Sequence, residues 1–112
     1  MARRAITRGI PIRYFQPIAE SLRVIAHPVR LKIIELLMSN ELTVGDLARV
    51  VGEKPAIVSQ HLTHMRAHGI LDRRRRGREV YYYVANEHAV GVLQCIQRKH
   101  QSDMSFQDGE AI

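Results

Sequence analysis

Apolar positions recur with a helical period through most of this chain and switch to strict alternation in one place. Ile18, Leu22 and Ile25 are spaced for a helix over about 15–26, and Pro17 suits its first turn. The triplet Ala26-His27-Pro28 ends that helix, and Pro28 opens a second. There Val29, Ile33, Ile34, Leu36 and Leu37 form a wide apolar face, with Arg30, Lys32 and Glu35 toward solvent. Thr43 followed three residues later by Asp46 has the pattern of a capping box. It starts a short helix with Val44, Leu47, Val50 and Val51 facing inward and Gly52 as a left-handed cap. Pro55 opens a fourth helix, closed by Gly69 in the same manner. Helix, tight glycine-containing turn and helix predict a helix-turn-helix.

The period then changes. Ile70 and Leu71 begin an extended segment, Gly77 marks a turn, and Val80, Tyr82 and Val84 alternate with Tyr81 and Tyr83. This predicts a two-stranded hairpin with arginines at its tip. Ala89, Val92, Leu93 and Ile96 restore helical spacing over about 86–100. The expected fold class is mainly α with a small antiparallel β-hairpin. Residues 1–13 read as a basic flexible arm, with Arg3, Arg4, Arg8 and Arg13 among small residues and Pro11. Residues 14–100 form the folded domain, and 101–112 a polar flexible tail.

Charge narrows the choice of partner. The 112 residues carry a net charge of +6, and five arginines, at 73, 74, 75, 76 and 78, crowd into the hairpin. Guanidinium groups so close repel one another, so an anionic partner is expected. Aromatics are 5 % of the chain with no Trp, a poor composition for stacking single-stranded bases. The longest apolar stretches fall short of the roughly 20 residues a membrane span needs. "MARRAITRGIPIR" lacks the apolar run of a secretory signal. A single cysteine, Cys95, excludes an intrachain disulfide and suits a reducing cytoplasm.

The second helix of the helix-turn-helix has two faces. Val58, Leu62 and Met65 can seat it on a core, while Ala56, Ser59, Gln60 and Thr63 lie opposite. A helix entering a major groove needs such a face: short residues for close approach, and amide or hydroxyl groups for base edges. Gln60 suits an adenine edge, and Ser59 and Thr63 suit bases or phosphates. Lys54 and His64 are placed for the backbone. Arg74, Arg75, Arg76 and Arg78 follow directly and would supply phosphate contacts beside the helix. A merely solvated polar face and charge run is the alternative for either element alone.

The succession of a helix, "HPVRLKIIELL", "ELTVGDLARVVG", "AIVSQHLTHMRAHGIL", a basic hairpin, "VYYYV" and a helix resembles the ArsR/SmtB family of bacterial winged helix-turn-helix repressors. The resemblance covers about residues 18–98. It implies a homodimer that binds an imperfect palindrome in an operator and releases it when an effector binds. It makes 56–64 the recognition helix and 73–78 the wing. It also puts the dimer interface on the first and last helices, whose apolar stripes are Ile18, Leu22 and Ile25, and Ala89, Val92, Leu93 and Ile96. Family members often have Ser where Lys54 stands. Lys is a poor N-cap, but it offers a cation to a phosphate.

Metal sensing in the family uses two patterns, and this chain keeps neither intact. Thr43, Val44 and Gly45 occupy a stretch where thiolate ligands occur. At the last helix, Asn86-x-His88 replaces Asp-x-His, and His100 is displaced by one residue, leaving Glu87 and Asp103 as the nearby oxygens. No metal or cofactor is therefore expected, the alternative being a site at His88 and His100; Cys95 reads as a small buried residue, the alternative being a bond to the Cys95 of a second copy. His61 and His64 are expected to pack or face DNA. No nucleophile–base, paired-carboxylate or phosphate-loop arrangement appears, which points away from an enzyme. The sequence thus predicts a cytoplasmic, dimeric, sequence-specific regulator of operator duplex DNA whose effector is unknown. The alternatives are a non-specific architectural DNA-binding protein, or an interaction module that has lost DNA binding.

Overall fold

The computed structural model describes residues 8–106. Arg3 and Arg4 of the expected basic arm, and the end of the tail, lie outside the described residues. After a single 3-10 turn at Ile12–Tyr14 come α1 (Phe15–Ile25), α2 (Pro28–Ser39), α3 (Val44–Val51) and α4 (Pro55–Ala67). A hairpin of β1 (Leu71–Arg76) and β2 (Glu79–Val84) follows, then the long α5 (Glu87–Phe106).

Local chemistry sets most of these boundaries. His27 caps α2 through Nδ1, which accepts the Val29 N–H at 3.1 Å, and Pro28 occupies the first helical position. Thr43 and Asp46 form the reciprocal capping box at α3, with bonds of 3.1 and 3.2 Å. These bonds also hold the Asp46 carboxyl below its usual range, the backbone N–H of Thr43 contributing most. Gly52 (φ 83°) and Gly69 (φ 76°) take the left-handed conformation that ends α3 and turns the chain out of α4. Asn86 Oδ1 accepts the Ala89 N–H at 2.9 Å and caps α5, while its Nδ2 donates to the buried Ser21 hydroxyl at 3.3 Å.

The core lies between the helices and the hairpin root. Ile33, Ile34, Leu47, Val58, Leu62, Met65, Ile70 and Leu71 are essentially inaccessible to solvent. Burial of each side chain contributes about 1.5–3 kcal/mol relative to exposure. The hairpin pairs Leu71 with Val84 at its root and Arg76 with Glu79 at its tip. Leu42, in the α2–α3 connection, adds one antiparallel bridge to Tyr82, which fastens that connection beside β2.

Two expectations are corrected. Val50 is 56 % exposed, because Val44, Leu47, Ala48 and Val51 define the inward stripe and Val50 falls about 100° off it. The last helix continues through Phe106 rather than ending near 100. Residues 101–106 contain neither Gly nor Pro, and a Lys99–Asp103 pair at 3.2 Å bridges successive turns.

Candidate nucleic-acid interface

The polar side of α4 is free. Val58, Leu62 and Met65 bury the inner face, which turns Ala56, Gln60, Thr63 and His64 outward as exposed residues and leaves Ser59 half-buried. Ser59, Gln60, Thr63, His64 and Ala67 line one shallow concavity of ≈ 420 Å³. Among the described residues, the hydrogen bonds that α4 side chains make lie on its flanks, at His61 and Arg66. The middle of the face therefore keeps its donors and acceptors for a partner. Lys54 stands at the N-cap with no side-chain capping bond and is exposed, so its ammonium is available beside the helix N-terminus.

One flank is held by groups that the sequence pattern did not bring together. Arg30, expected toward solvent, is half-buried: its Nη1 donates to the Val24 carbonyl at 2.7 Å and its Nε to His61 Nδ1 at 3.1 Å. The His27 and His61 rings lie 4.6 Å apart. Burial, then the neighbouring His27 and Arg30, push the His61 pKa below the ordinary imidazole range. His61 thus packs and orients α4. His64 remains exposed, with its ring 4.6 Å from that of His68. On the opposite flank, Arg66 Nε lies 3.4 Å from the Asp72 carboxylate, which ties α4 to the start of β1.

The wing starts beside α4, where β1 packs against that helix, and its arginines are not equivalent. Arg74 and Arg76 share one carboxylate: their Nη2 atoms are each 3.1 Å from an oxygen of Glu41. Their guanidinium groups sit 4.7 Å from the Tyr83 ring centroid and 5.2 Å from that of Tyr81. Tyr81 in turn donates to Glu79 Oε1 at 3.2 Å, and the Glu79 charge raises the Tyr81 pKa. Arg75 and Arg78 are exposed, with no ion pair among the described residues. Sequence reading missed Glu41 because nothing near it in the chain marks it as a partner of arginines more than 30 positions away.

Other expected residues fall elsewhere. Ile25, Ala89 and Leu93 are 2 %, 0 % and 3 % exposed, so they belong to the chain's own core and present nothing to a second copy. Leu22 and Ile96 are exposed, and Ile18 and Val92 half-exposed. Ile10 and Ile12, in the segment read as a basic arm, and Tyr14 and Phe15 just after it are exposed as well. Cys95 is exposed rather than buried, since it lies off the stripe formed by Ala89, Val92 and Leu93. His88 and His100 are exposed, and Asn86 is engaged in its capping role. Among the described residues no group of three or more His, Cys, Asp or Glu could hold a metal, and no helix is long and apolar enough to cross a membrane.

A helix-turn-helix whose second helix presents a free polar face beside a basic two-stranded hairpin defines a winged-helix DNA-binding protein. Comparison with known proteins makes this specific. Residues 27–73 match the family described as bacterial regulatory protein, arsR family. The transcriptional repressor PagR of Bacillus anthracis is 38 % identical over 79 residues, covering 70 % of this chain and 79 % of PagR. The nodulation protein NolR of Rhizobium meliloti is 32 % identical over 91 residues, covering 81 % and 70 %. The crystal structure of PagR superposes with a TM-score of 0.68 at 34 % identity, covering 77 % of this chain and 99 % of that one. The chain belongs to the ArsR family of bacterial regulatory proteins, and it is a DNA-binding transcriptional regulator.

Proposed function

We propose that two copies of this chain bind one operator duplex and repress transcription until an effector releases them. The observation that carries this reading is the outer face of α4. It is polar and exposed and, among the described residues, free of hydrogen bonds at its centre and followed by arginines without carboxylate partners. In this reading Gln60 pairs with an adenine edge, Ser59 and Thr63 meet bases or adjacent phosphates, and Ala56 permits close approach. Lys54 and His64 meet the backbone, and the wing arginines meet flanking phosphates.

A second copy is needed because one such module covers too little duplex to be selective; half-sites about one helical turn apart are read together. Leu22 and Ile96, with Ile18 and Val92 and the aromatic pair Tyr14 and Phe15, offer the surface that joins the copies. Their side chains lie on or next to α1 and α5, which pack against each other. The regulator acts by binding in the bacterial cytoplasm and performs no catalysis.

Selection of bound duplexes from a random pool tests the reading. It predicts enrichment of an imperfect palindrome with half-sites about one turn apart. Recovery of sequences no different from the input pool, with steep salt dependence, would assign the chain to non-specific DNA coating instead.

A further inference from the structure

The hairpin register sorts the wing's charges onto two unlike faces. Arg73 and Arg75 alternate with Arg74 and Arg76 along β1, so the pairs point to opposite sides. On one side Asp72, Arg74 and Arg76 face Tyr83, Tyr81 and Glu79 across the ladder. Glu41 joins them from the α2–α3 connection, held there by the Leu42–Tyr82 bridge. Both guanidinium groups therefore meet the Glu41 carboxylate, Glu79 stands opposite Arg76 in the ladder, and Asp72 is balanced by Arg66. This side is close to neutral. On the other side Arg73 and Arg75 stand opposite Tyr82 and Val80, which carry no charge. Among the described residues the Arg73 guanidinium has only the Tyr82 hydroxyl, at 3.4 Å, and Arg78, likewise without an ion pair there, extends this charge at the turn.

We propose that Glu41 is a positioning residue that makes the wing one-sided, holding Arg74 and Arg76 out of DNA contact so that, of the wing's arginines, only Arg73, Arg75 and Arg78 meet phosphates. The inference rests on the reading that the wing binds duplex DNA. Its physical basis is twofold. An exposed ion pair is weak alone, but here one carboxylate engages two arginines whose guanidinium groups also sit over tyrosine rings. In addition, an arginine that swung out would leave Glu41 and Glu79 facing the incoming phosphate, and like charges repel. The consequence is a cap on sequence-independent affinity. A wing with five free arginines would grip any duplex, whereas three leave more of the discrimination to Gln60 and its neighbours.

The test is the salt dependence of binding to a selected duplex and to a random one. Each phosphate contact contributes about 0.9 to the slope of log K against log salt. Arg74→Gln/Arg76→Gln leaves the slope unchanged, while Arg75→Gln/Arg78→Gln flattens it by about 1.8 per protomer. Glu41→Gln steepens the slope by about 0.9 for each arginine released and tightens binding to the random duplex. Adding Arg74→Gln and Arg76→Gln to Glu41→Gln restores the original slope, an outcome that mere loss of wing structure does not give. If Arg74→Gln/Arg76→Gln flattens the slope as much as Arg75→Gln/Arg78→Gln, the role of Glu41 is overturned and the wing reading survives. If Arg75→Gln/Arg78→Gln changes nothing, the wing reading itself fails. Should circular dichroism show that Glu41→Gln unfolds the chain, the two arginine pairs decide the matter alone.

Discussion

Helix α4 and the wing are both proposed to meet DNA, but they are prepared for it differently. On α4 the outward residues at the centre of the face have no other work: the inner stripe fills the core and the flanking His61 and Arg66 hold the helix in place. In the wing, two of the five arginines are already committed to Glu41. Charge density along a sequence therefore overstates charge available to a partner. Polarity on a helix face whose opposite side is buried does not.

Removing the wing's uncommitted charge should have the largest effect. Arg73→Gln/Arg75→Gln/Arg78→Gln is expected to weaken all duplexes alike and to flatten the salt slope by about 0.9 for every phosphate left without its arginine; fluorescence anisotropy across a salt series measures it. Gln60→Ala sharpens the contrast. It should cost about 1–3 kcal/mol on a selected duplex and relax preference at one position, with random DNA unaffected. Equal weakening on both duplexes would remove Gln60 from base reading.

Two smaller effects concern how α4 and its partner helix are held. Thr43→Ala removes the α3 capping box and is expected to cost about 1 kcal/mol of stability in urea denaturation, with no change in the salt slope. His61 gives a pH effect whose sign follows from its depressed pKa. The folded chain binds fewer protons there than the unfolded chain, so this contribution is present above the unfolded imidazole pKa. It is lost as pH falls from that value toward the lower folded one. Protonation would also end the Arg30-to-His61 bond, because Nδ1 can no longer accept. The melting temperature of the wild type should fall between about pH 7.5 and 5.5, and that of His61→Gln should fall less. Identical profiles would mean that His61 is not the titrating group.

How much of this was legible depends on the distance over which each feature is determined. The elements were readable because their signals are local: Pro28 and Pro55 at helix starts, Thr43 with Asp46, Gly52 and Gly69 at helix ends, and alternation through residues 80–84. The outward face of α4 was readable for the same reason, since three buried positions fix the rest by geometry. The Glu41 pairing, the Arg30–His61 bond and the Asn86–Ser21 bond join residues 31 to 65 positions apart, and no period announces them. Apolar stripes on α1 and α5 were visible, but not which of their residues the chain keeps for itself. Ile25, Ala89 and Leu93 go to the core, and Leu22 and Ile96 stay outside.

The central claim is that α4 and one side of the wing form a single surface for duplex DNA. Titrating the labelled protein with a selected duplex, and following backbone amides and arginine Nε–H signals by NMR, tests this most directly. The largest shifts are expected across residues 54–64 and at Arg73, Arg75 and Arg78, with Arg74 and Arg76 little moved. Shifts gathered on α1 and α5 instead, or spread evenly over the molecule, would contradict it.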